Sequence, residues 1–533
     1  MNKVLVKVKI GFIILYKMTP LFWDKLINLD SFPFKTSQLK AIQTHISYVF
    51  ITDDLVYKIK KPVNFGFLDF TTLEKRKYFC EREVELNRRL SPEIYLGVVP
   101  VTEKNGRFEF EGSGKVVEYA VKMKRLPENG MMKELLQKGE ITEKHIDLIV
   151  NTLVTFYKSA ETGERVNPYG NIETIFYNTN ENFEQTKNFI DIALTEEKYI
   201  HIVNYNNSFI EQKKELFEKR IKEGFIRDGH GDLYSANICF DNLKKVYIFD
   251  CIEFNERFRC GDVCCDISFL AMDLDYHRYR DLSDYFIKTY VKKSKDKDIY
   301  ELLNFYKCYR AYVRGKIGCF TYTSPEISEE EKKKALESAH KYFDLAYYYA
   351  GGIPKIIVFF GLSGTGKTFL SQNLLKKIPA VYLASDIIRK KLLKLDPTKH
   401  YYAQFEKGIY SPEITLSTYE KMIEMAIEEV SYGRDVIIDA TFREKKYRDL
   451  LKENLKNLRA KIYWILCTAE DEVIKERFSK RLLENTYSDA LWDIYLSQKQ
   501  KFEFPEDCSP LLILNTSVSL ESLLNKILQF LKI

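Results

Sequence analysis

Eight residues in the second half of the chain, GLSGTGKT at 361–368, leave little freedom in how their surroundings fold. They match the pattern G-x-x-x-x-G-K-[ST], directly after the apolar run 356–360 and directly before a stretch with helical periodicity. In such a loop the glycines let backbone N–H groups converge on an anion, and the N-terminus of the following helix adds partial positive charge. The pattern predicts a strand, a phosphate-binding loop and a helix, with ATP as the ligand.

The residues of this loop have separate expected roles. Lys367 is predicted to reach the β- and γ-phosphates, and Thr368 is predicted to bind Mg²⁺. The remaining nucleotide-binding positions surround the phosphates; they are Gly361, Ser363, Gly364, Thr365 and Gly366. A loop that keeps the pattern but has lost its ligand is the alternative.

Two acidic residues follow other predicted strands of the same half. Asp439 ends the run VIID and so lies at the carboxyl end of a predicted strand, where ligands bind in parallel sheets. We expect Asp439 to order magnesium; the alternative is a solvated acid with no ligand. Asp386, in SDIIR, is predicted to act as general base for an acceptor hydroxyl, with Arg389 holding that acceptor. An N-cap at Ser385 or Asp386 is the competing interpretation.

The Walker A loop, SDIIRKKL and IIDATF together resemble the P-loop kinases that include zeta toxins, polynucleotide 5′-kinases and gluconate-kinase-like enzymes. The resemblance covers the chain from Pro354 onward. It implies a parallel α/β sheet, and it makes Arg477 and Arg481, one helical turn apart, a lid over the phosphates; surface salt bridges are the alternative. Residues 485–490, NTYSDA, depart from the acidic motif that related chains carry after the lid arginines.

The first half contains a second phosphotransfer pattern. The stretch HGDLYSAN at 230–237 has the spacing H-x-D-x-x-x-x-N, and the run VYIF leads to Asp250 as a strand would lead to a metal-binding acid. Asp232 is predicted to orient the acceptor hydroxyl or take its proton. Asn237 and Asp250 are predicted to hold magnesium against the ATP phosphates.

The preceding β-rich stretch offers an ATP-positioning Lys–Glu pair. Lys58 and Lys60 alternate on one face of a predicted strand, and Glu83 lies within a predicted helix, 73–90. The sequence favours a pair of Lys58 with Glu83. Lys60 remains an alternative to Lys58, and Glu81 and Glu85 remain alternatives to Glu83. Residues 124–127, KRLP, are expected to form the hinge beside adenine.

THISYVFITDDLVYKIKKP, FGFLDF, HGDLYSAN and FDCIEF together look like the aminoglycoside-phosphotransferase-like kinases, relatives of choline and fructosamine kinases with a protein-kinase-like two-lobed fold. The resemblance spans residues 44–349. The domain order looks like that of bacterial bifunctional proteins that join such a kinase to a P-loop ATP-binding half of the AAA family ATPase type. It implies that Asp266 braces the catalytic loop, and it leaves Asp262 undecided. Aminoglycosides would require acids around their amines; the available ones, which are usually solvated on such helices, are Glu253, Glu256, Asp273 and Asp275.

The predicted fold class is therefore α/β and α+β in two modules. The predicted domains are an N-terminal extension, 1–43; a kinase-like N-lobe, 44–127; a helical C-lobe with the catalytic loop, 128–350; and a P-loop domain, 354–533. Five parallel strands are expected in the last domain, at 356–360, 380–383, 435–438, 461–467 and 511–514. The 533 residues are too many for one ordinary domain.

Composition says more about the cellular compartment of the protein than about its substrate. A net charge of +6 is too weak to identify a nucleic-acid partner. Ten cysteines without Cys-x-x-Cys spacing predict free thiols, no structural zinc and a reducing cytoplasm. The lysine-interrupted N-terminus is far short of a membrane span, and Met1 and Met18 remain rival starts.

The leading hypothesis is a cytoplasmic, Mg²⁺-dependent phosphotransferase with two ATP sites. Its acceptor is a hydroxyl of a small molecule, with no membrane and no obligatory protein partner. In one alternative the P-loop half is a nucleotide-controlled switch, which has no use for Asp386. In another the P-loop half is a polynucleotide 5′-kinase, for which the basic runs 389–391 and 443–446 are the only hint.

Overall fold

The computed structural model describes residues 23–325, 327–397, 399, 401, 406–481 and 492–532. Within them the chain forms two compact units. The first contains Met1–Tyr177 and Gln212–Lys307, and the second contains Asn178–Glu211 and Cys308–Ile533. This division does not coincide with the domain boundary expected at 350–354, because residues 308–350 and the segment 178–211 belong to the unit of the P-loop. The rival starts Met1 and Met18 lie outside the described residues.

The first unit opens with a six-stranded antiparallel sheet. After the short helix α1 (Trp23–Leu26), its strands are β1 (Lys40–Gln43), β2 (Ser47–Ile51), β3 (Leu55–Lys60), β4 (Tyr95–Lys104), β5 (Arg107–Phe110) and β6 (Lys115–Lys124). The strand order is β1-β2-β3-β6-β4-β5. Strands β2 and β3, and strands β4 and β5, pair as antiparallel hairpins. Strand β1 precedes residue 44, so the sheet begins earlier than the sequence suggested.

Alternation along β2 and β3 builds the core of this lobe. Tyr48 and Phe50 of β2 and Tyr57 and Ile59 of β3 are buried on one face, where Trp23 packs against Tyr48 and Phe50. Helix α2 (Leu73–Asn87), which begins at the N-cap Thr72, packs against β4 and β6. The predicted helix ran to residue 90; the last three residues instead form a turn before Ser91 and Pro92.

Helices dominate the chain between this sheet and the P-loop. They are α3 (Met132–Lys138), α4 (Glu143–Ser159), α5 (Ile172–Thr186), α6 (Glu196–Gln212), α7 (Lys214–Lys222), α8 (Glu256–Arg259), α9 (Val263–Tyr276), α10 (Arg280–Ser294) and α11 (Ile299–Tyr322). Four short strands form two antiparallel pairs that flank the loops 229–237 and 249–259; they are β7 (Ile226–Asp228), β8 (Ile238–Asp241), β9 (Lys245–Ile248) and β10 (Cys260–Asp262). The embedded loop predicted within a helical lobe is thus observed.

The second unit contains a five-stranded parallel sheet, as predicted. Its strands are β11 (Lys355–Phe360), β12 (Val381–Ala384), β13 (Val436–Asp439), β14 (Lys461–Thr468) and β15 (Leu511–Asn515). The order β12-β13-β11-β14-β15 places the strand before the P-loop in the centre. The surrounding helices are α12 (Glu329–Tyr349), α13 (Lys367–Leu375), α14 (Ser385–Leu392), α15 (Pro412–Ser431), α16 (Lys445–Leu455), α17 (Asp471–Arg481), α18 (Trp492–Gln500) and α19 (Leu520–Leu531).

Both faces of this sheet are buried, which explains why its strands are continuous apolar runs. All six residues of β11 are buried. Ile356, Val358 and Phe360 join the core beneath α15 and α16, while Ile357 and Phe359 join the core with α13 and α19. Because both sides of the sheet are filled, polar groups collect at its carboxyl edge, where the P-loop begins.

Two further properties follow from the described part of the chain. Its helices include none long and apolar enough to cross a membrane. All ten cysteines are free thiols, nine of them buried and Cys265 partly exposed.

Candidate functional site

Two lysines of β3 meet one carboxylate of α2 in the first unit. Lys58 and Lys60 point to the same side of the strand, and Glu83 is completely buried beside them. Lys58 Nζ lies 2.9 Å from Glu83 Oε1, and Lys60 Nζ lies 2.7 Å from Glu83 Oε2. Burial raises the pKa of Glu83, but Lys58 and then Lys60 outweigh burial and lower the pKa overall. Glu83 is therefore ionised and holds both ammonium groups.

The rival partners left open by the sequence are separated by the geometry. Glu81 is exposed beside Lys77, and Glu85 is exposed beside Arg82, so neither points toward β3. Glu83 alone among the three lies within reach of the β3 lysines.

The two lysines differ in their second partners. Lys58 Nζ lies 2.6 Å from Asp250 Oδ1, and the side chain of Asp250 is 45% exposed. Lys60 is 1% exposed and makes its second ion pair with the buried Glu253. Lys58 thus faces the open side of the cluster, together with Asp250, whereas Lys60 is enclosed.

The loop after β7 brings Asp232 and Asn237 together. The amide nitrogen of Asn237 donates to Asp232 O and to Asp232 Oδ2, both at 2.9 Å. Asp250 adopts a left-handed backbone conformation, φ +62°, and its N–H donates to the hydroxyl of Tyr95. This conformation is uncommon for a residue other than glycine, and the surrounding contacts must hold it. The structure therefore gathers Asp232 with Asn237, and Asp250 with Lys58.

Asp266, at the start of α9, braces this loop as the resemblance implied. Its two carboxylate oxygens accept the backbone N–H groups of His230 and Gly231 at 2.7 and 3.0 Å. His230 Nδ1 accepts from the N–H of Asp232, so Nε2 carries the proton that is shared with Phe249 O. Burial lowers the pKa of His230, which is therefore neutral at physiological pH.

The remaining candidate acids that the sequence singled out in the first unit already have protein partners. Asp262, which the sequence left undecided, forms a bidentate pair with the buried Arg220 and caps α9. Of the four acids considered for amine recognition, each is bonded within the protein: Glu253 to Lys60, Glu256 to Arg165, Asp273 to the N–H of Ser235, and Asp275 to Lys307. Asp273 and Asp275 are buried, so the expectation that such helix acids are solvated is wrong for both.

In the second unit the P-loop joins β11 to α13 as the motif predicts. Gly364 and Gly366 have φ near +84° and +89°, and a Cβ at Gly364 would lie 2.7 Å from Ile474 Cγ2. Glycine is therefore required at Gly364 by both conformation and space, and at Gly366 by conformation. Lys367 Nζ donates to Leu362 O at 2.8 Å, so the lysine lies across its own loop.

Asp439, at the end of β13, lies beside the first turn of α13. Thr368 Oγ1 donates to Asp439 Oδ2 at 2.6 Å, and the hydroxyl of Tyr382 donates to the same oxygen at 2.8 Å. Burial raises the pKa of Asp439, although Lys367 and the two hydroxyls partly oppose this. Asp439 is buried rather than solvated, so the alternative interpretation of this acid is wrong.

Asp386 and Arg389 form an ion pair one turn apart on α14. Arg389 Nη1 donates to Asp386 Oδ1 at 2.7 Å, and the guanidinium lies over the ring of Tyr410. The N-cap of α14 is Ala384, and no side chain caps this helix end, so the N-cap interpretation of Ser385 and Asp386 is wrong. Arg389 is buried, and its Nε has no hydrogen-bond partner in the described residues.

The guanidinium of Arg477 lies beside the P-loop. It donates to Gly364 O at 3.2 Å and to Thr516 Oγ1 and O at 2.9 and 2.8 Å. Arg477 therefore contacts the P-loop backbone, and its role as a lid over the phosphates stays a prediction. The side chain of Arg481 and residues 485–490 lie outside the described part of the chain.

Three polar residues that sequence reasoning missed support the P-loop. Thr516 Oγ1 donates to Thr365 O at 2.8 Å, Gln498 Oε1 accepts the N–H of Ser363 at 2.9 Å, and Tyr382 bonds Asp439 as described. Thr516 and Gln498 come from segments distant in sequence from 361–368, whereas Tyr382 lies in the next strand along the chain, and no local motif marks any of them.

The residues present fit magnesium and ATP in both units. Carboxylate, amide and hydroxyl oxygens are the ligands that Mg²⁺ prefers, and it commonly takes only one or two from the protein. Asn237 and Asp250 supply such oxygens in the first unit, and Thr368 and Asp439 supply them in the second. In the described residues no group of three or more His, Cys, Asp or Glu side chains is arranged so that it could hold a metal ion.

Comparison with known proteins identifies part of the second unit. Residues 356–505 match the family model described as AAA domain. The expectation of an AAA-type P-loop in the second half is thereby confirmed. Proteins of Mycobacterium tuberculosis (strain ATCC 25618 / H37Rv) and Mycobacterium bovis, both described as uncharacterized, are 27% identical over 452 residues; the match covers 85% of this chain and 88% of each relative.

Several solved structures resemble parts of the chain at low scores. A sugar kinase from Janibacter sp. HTCC2649 covers 34% of this chain and 95% of its own, with 21% identity and a TM-score of 0.27. The Mycobacterium tuberculosis APS kinase, in complex with AMPPNP and APS, covers 34% and 99%, with 18% identity and a TM-score of 0.26. The Plasmodium vivax ethanolamine kinase covers 57% and 81%, with 12% identity and a TM-score of 0.34. TM-scores this low support no argument about the site, so its function is argued from its own geometry.

Proposed function

We propose that this chain is an ATP-dependent phosphotransferase with two nucleotide sites. The first unit transfers the γ-phosphate of ATP to a hydroxyl of a small molecule, and the second unit transfers it to a second acceptor. The observation that carries the proposal is the cluster of Lys58, Glu83 and Asp250, which lies in the same unit as the Asp232–Asn237 loop. The spacing of these five residues in the sequence and their contacts in the structure both support the proposal.

In the first unit each residue has a distinct part. Lys58, oriented by Glu83, holds the ATP phosphates, while Asn237 and Asp250 hold magnesium. Magnesium, when bound, offsets the charge that develops on the phosphate oxygens. Asp232 takes the proton of the acceptor hydroxyl as its oxygen bonds to the γ-phosphorus, and the bond from that phosphorus to the bridging oxygen breaks to release ADP.

In the second unit the P-loop supplies the nucleotide site. Lys367 and the loop N–H groups bind the phosphates, and Thr368 and Asp439 hold magnesium. Asp386 is the proposed general base, and Arg389, with its unpaired buried Nε, is the proposed holder of an anionic or polar acceptor. The Arg389–Asp386 ion pair supports catalysis over a simple switch, because a nucleotide switch needs neither residue.

A nucleic-acid acceptor for the P-loop unit receives little support. In the run 389–391, Arg389 and Lys390 are buried and bonded to Asp386 and to Lys399 O. In the run 443–446, Arg443 and Lys446 both pair with Glu444. These charges are used within the protein, so they do not form the free basic groove that single strands bind.

Nucleotide stoichiometry is the first test of this proposal. We expect wild-type protein to bind two MgATP, and Lys58→Met and Lys367→Ala each to bind one, measured by equilibrium dialysis. The exposed Lys377→Ala, ten residues from Lys367, is the matched control and should bind two. A single site in the wild type would refute the two-site proposal.

Acceptor-dependent turnover then tests the chemistry. ATP consumption is measured against small alcohols, aminoglycosides, sugars and 5′-hydroxyl oligonucleotides, with Asp232→Asn and Asp386→Asn beside the exposed control Asp241→Asn. Loss confined to Asp232→Asn assigns an acceptor to the first unit, and loss confined to Asp386→Asn assigns one to the second. Turnover that survives both substitutions would contradict the assigned general bases.

A further inference from the structure

Lys60, the second lysine of β3, has no part in the phosphotransfer chemistry described above. Its ammonium group is bonded to Glu83 and Glu253 and lies 5.0 Å from the centre of the buried Phe70 ring. An ammonium group enclosed on these sides is not open to a phosphate. Lys58 is 14% exposed and adjoins the half-exposed Asp250. Lys60 is therefore not a second nucleotide ligand, and its burial requires another explanation.

The first part of that explanation is the way Glu83 is shared. Oε1 of its carboxylate belongs to Lys58 and Oε2 belongs to Lys60. The terminal torsion of a glutamate is broad, so a carboxylate bonded on one oxygen only can turn. A second ammonium group on the other oxygen fixes the plane of the carboxylate. Lys60 thereby sets the direction in which Glu83 presents Oε1 to Lys58.

The second part is the partner on the other side of Lys60. Glu253 lies three residues after Asp250, so Lys60 joins α2 to the segment that carries the proposed metal-binding acid. The same segment is joined to α2 again, because the N–H of Cys251 donates to Asn87 Oδ1 at 2.8 Å. Asp250, with its left-handed conformation, directly precedes these two ties. The contact between Lys60 and Glu253 is thus one of the contacts that hold the segment carrying Asp250.

We infer that Lys60 and Glu253 are positioning residues for the MgATP site of the first unit. They fix Glu83 and Asp250, and through them the nucleotide-binding Lys58, without touching the nucleotide. This inference rests on the proposed function of that unit. It assigns to a buried ion pair a role in nucleotide affinity, beyond the stability that any well-bonded ion pair could supply.

Paired substitutions separate positioning from stability. All variants are made in the full chain carrying Lys367→Ala, so that MgATP binding reports on the first unit alone. Lys60→Met removes the ammonium group and leaves Glu253 buried and uncompensated, so both thermal stability and MgATP affinity should fall, the affinity by about tenfold. In Lys60→Met/Glu253→Met the buried pair becomes apolar, and such replacements often restore stability. Glu253→Gln keeps an acceptor for Lys60 and serves as the conservative variant.

The double variant decides the question. We expect its melting temperature to return toward that of the parent while its dissociation constant for MgATP stays about tenfold higher, with Glu253→Gln close to the parent. Recovery of affinity together with stability would reduce the ion pair to a structural role and overturn the inference, as would unchanged affinity in Lys60→Met. If the parent binds no MgATP, or if Lys58→Met leaves binding intact, the proposed function of the first unit has failed and the inference falls with it.

Discussion

Replacing Glu83 by glutamine tests the central ion cluster of the first unit. The substitution keeps the shape of the side chain and removes the charge shared by Lys58 and Lys60. The lysines lower the pKa of Glu83 from its ordinary 4.5 to about 2, despite its burial. At about 1.4 kcal/mol per pH unit, this corresponds to a contribution of about 3 kcal/mol to the free energy of unfolding at neutral pH.

The pH dependence gives the expected effect a definite sign. A carboxylate with a lowered pKa in the folded state stabilises the protein fully above its ordinary pKa, and this stabilisation is lost as the pH falls toward the lowered value. The gap in unfolding free energy between wild type and Glu83→Gln should therefore be about 3 kcal/mol at pH 7 and shrink between about pH 5 and pH 3. Urea denaturation across this range, followed by circular dichroism, measures the gap.

A neighbour on the same helix provides the matched control. Glu81→Gln removes an exposed carboxylate whose partner, Lys77, lies 3.8 Å away, and exposed pairs of this kind contribute about 0.5 kcal/mol or less. The reasoning is refuted if Glu83→Gln and Glu81→Gln are equally stable at pH 7. It is equally refuted if the gap for Glu83→Gln grows as the pH falls.

Three further outcomes follow from other contacts. Lys198→Met removes the ammonium group that lies 2.7 and 3.0 Å from two buried aspartates, and it should lower the unfolding free energy by about 3–5 kcal/mol. The control Lys187→Met removes an exposed lysine and should leave the urea midpoint unchanged. Asp266→Asn should slow acceptor-dependent turnover by about tenfold or more at saturating ATP, because asparagine keeps only one of the two oxygens that accept the N–H groups of the catalytic loop and places an NH2 donor at the other; equal kcat would contradict this. Arg477→Met should weaken ATP binding at the P-loop by about tenfold in a Lys58→Met background, and unchanged affinity would show that the loop holds its shape alone.

How much of the structure could be predicted from the sequence depended on how close together in the chain the determining residues lie. The P-loop is contiguous, and its strand and helix neighbours are set by apolar periodicity, so residues 361–368 and the parallel sheet were both predictable. The pairing of Lys58 with Glu83 was predictable only as one of several options, because 25 residues separate them and the rotation of α2 decides which glutamate faces β3. Only the folded helix excludes Glu81 and Glu85.

The domain boundary illustrates a signal that was present but ambiguous. Gly351, with φ +86°, follows the end of α12, and such a glycine marks a helix terminus whether or not a domain ends there. One of the contacts between α12 and the rest of the P-loop unit is made by Lys198, whose ammonium group bonds Asp344 of that helix and Asp435 before β13. No periodicity or turn residue announces a contact between positions this far apart.

Asp435 and Asp439 show how partners, rather than burial, separate a structural carboxylate from a functional one. Both are buried at the two ends of β13. Asp435 bonds the ammonium group of Lys198 and the N–H of Lys355, so its charge is compensated within the protein. The partners of Asp439 are two hydroxyls, and its burial raises its pKa. A buried carboxylate whose hydrogen-bond donors are neutral is costly, and the nearby Lys367 offsets this cost only in part. Asp439 lies at the carboxyl edge of the sheet, beside the P-loop, where the proposed magnesium would offset the cost of burying its carboxylate.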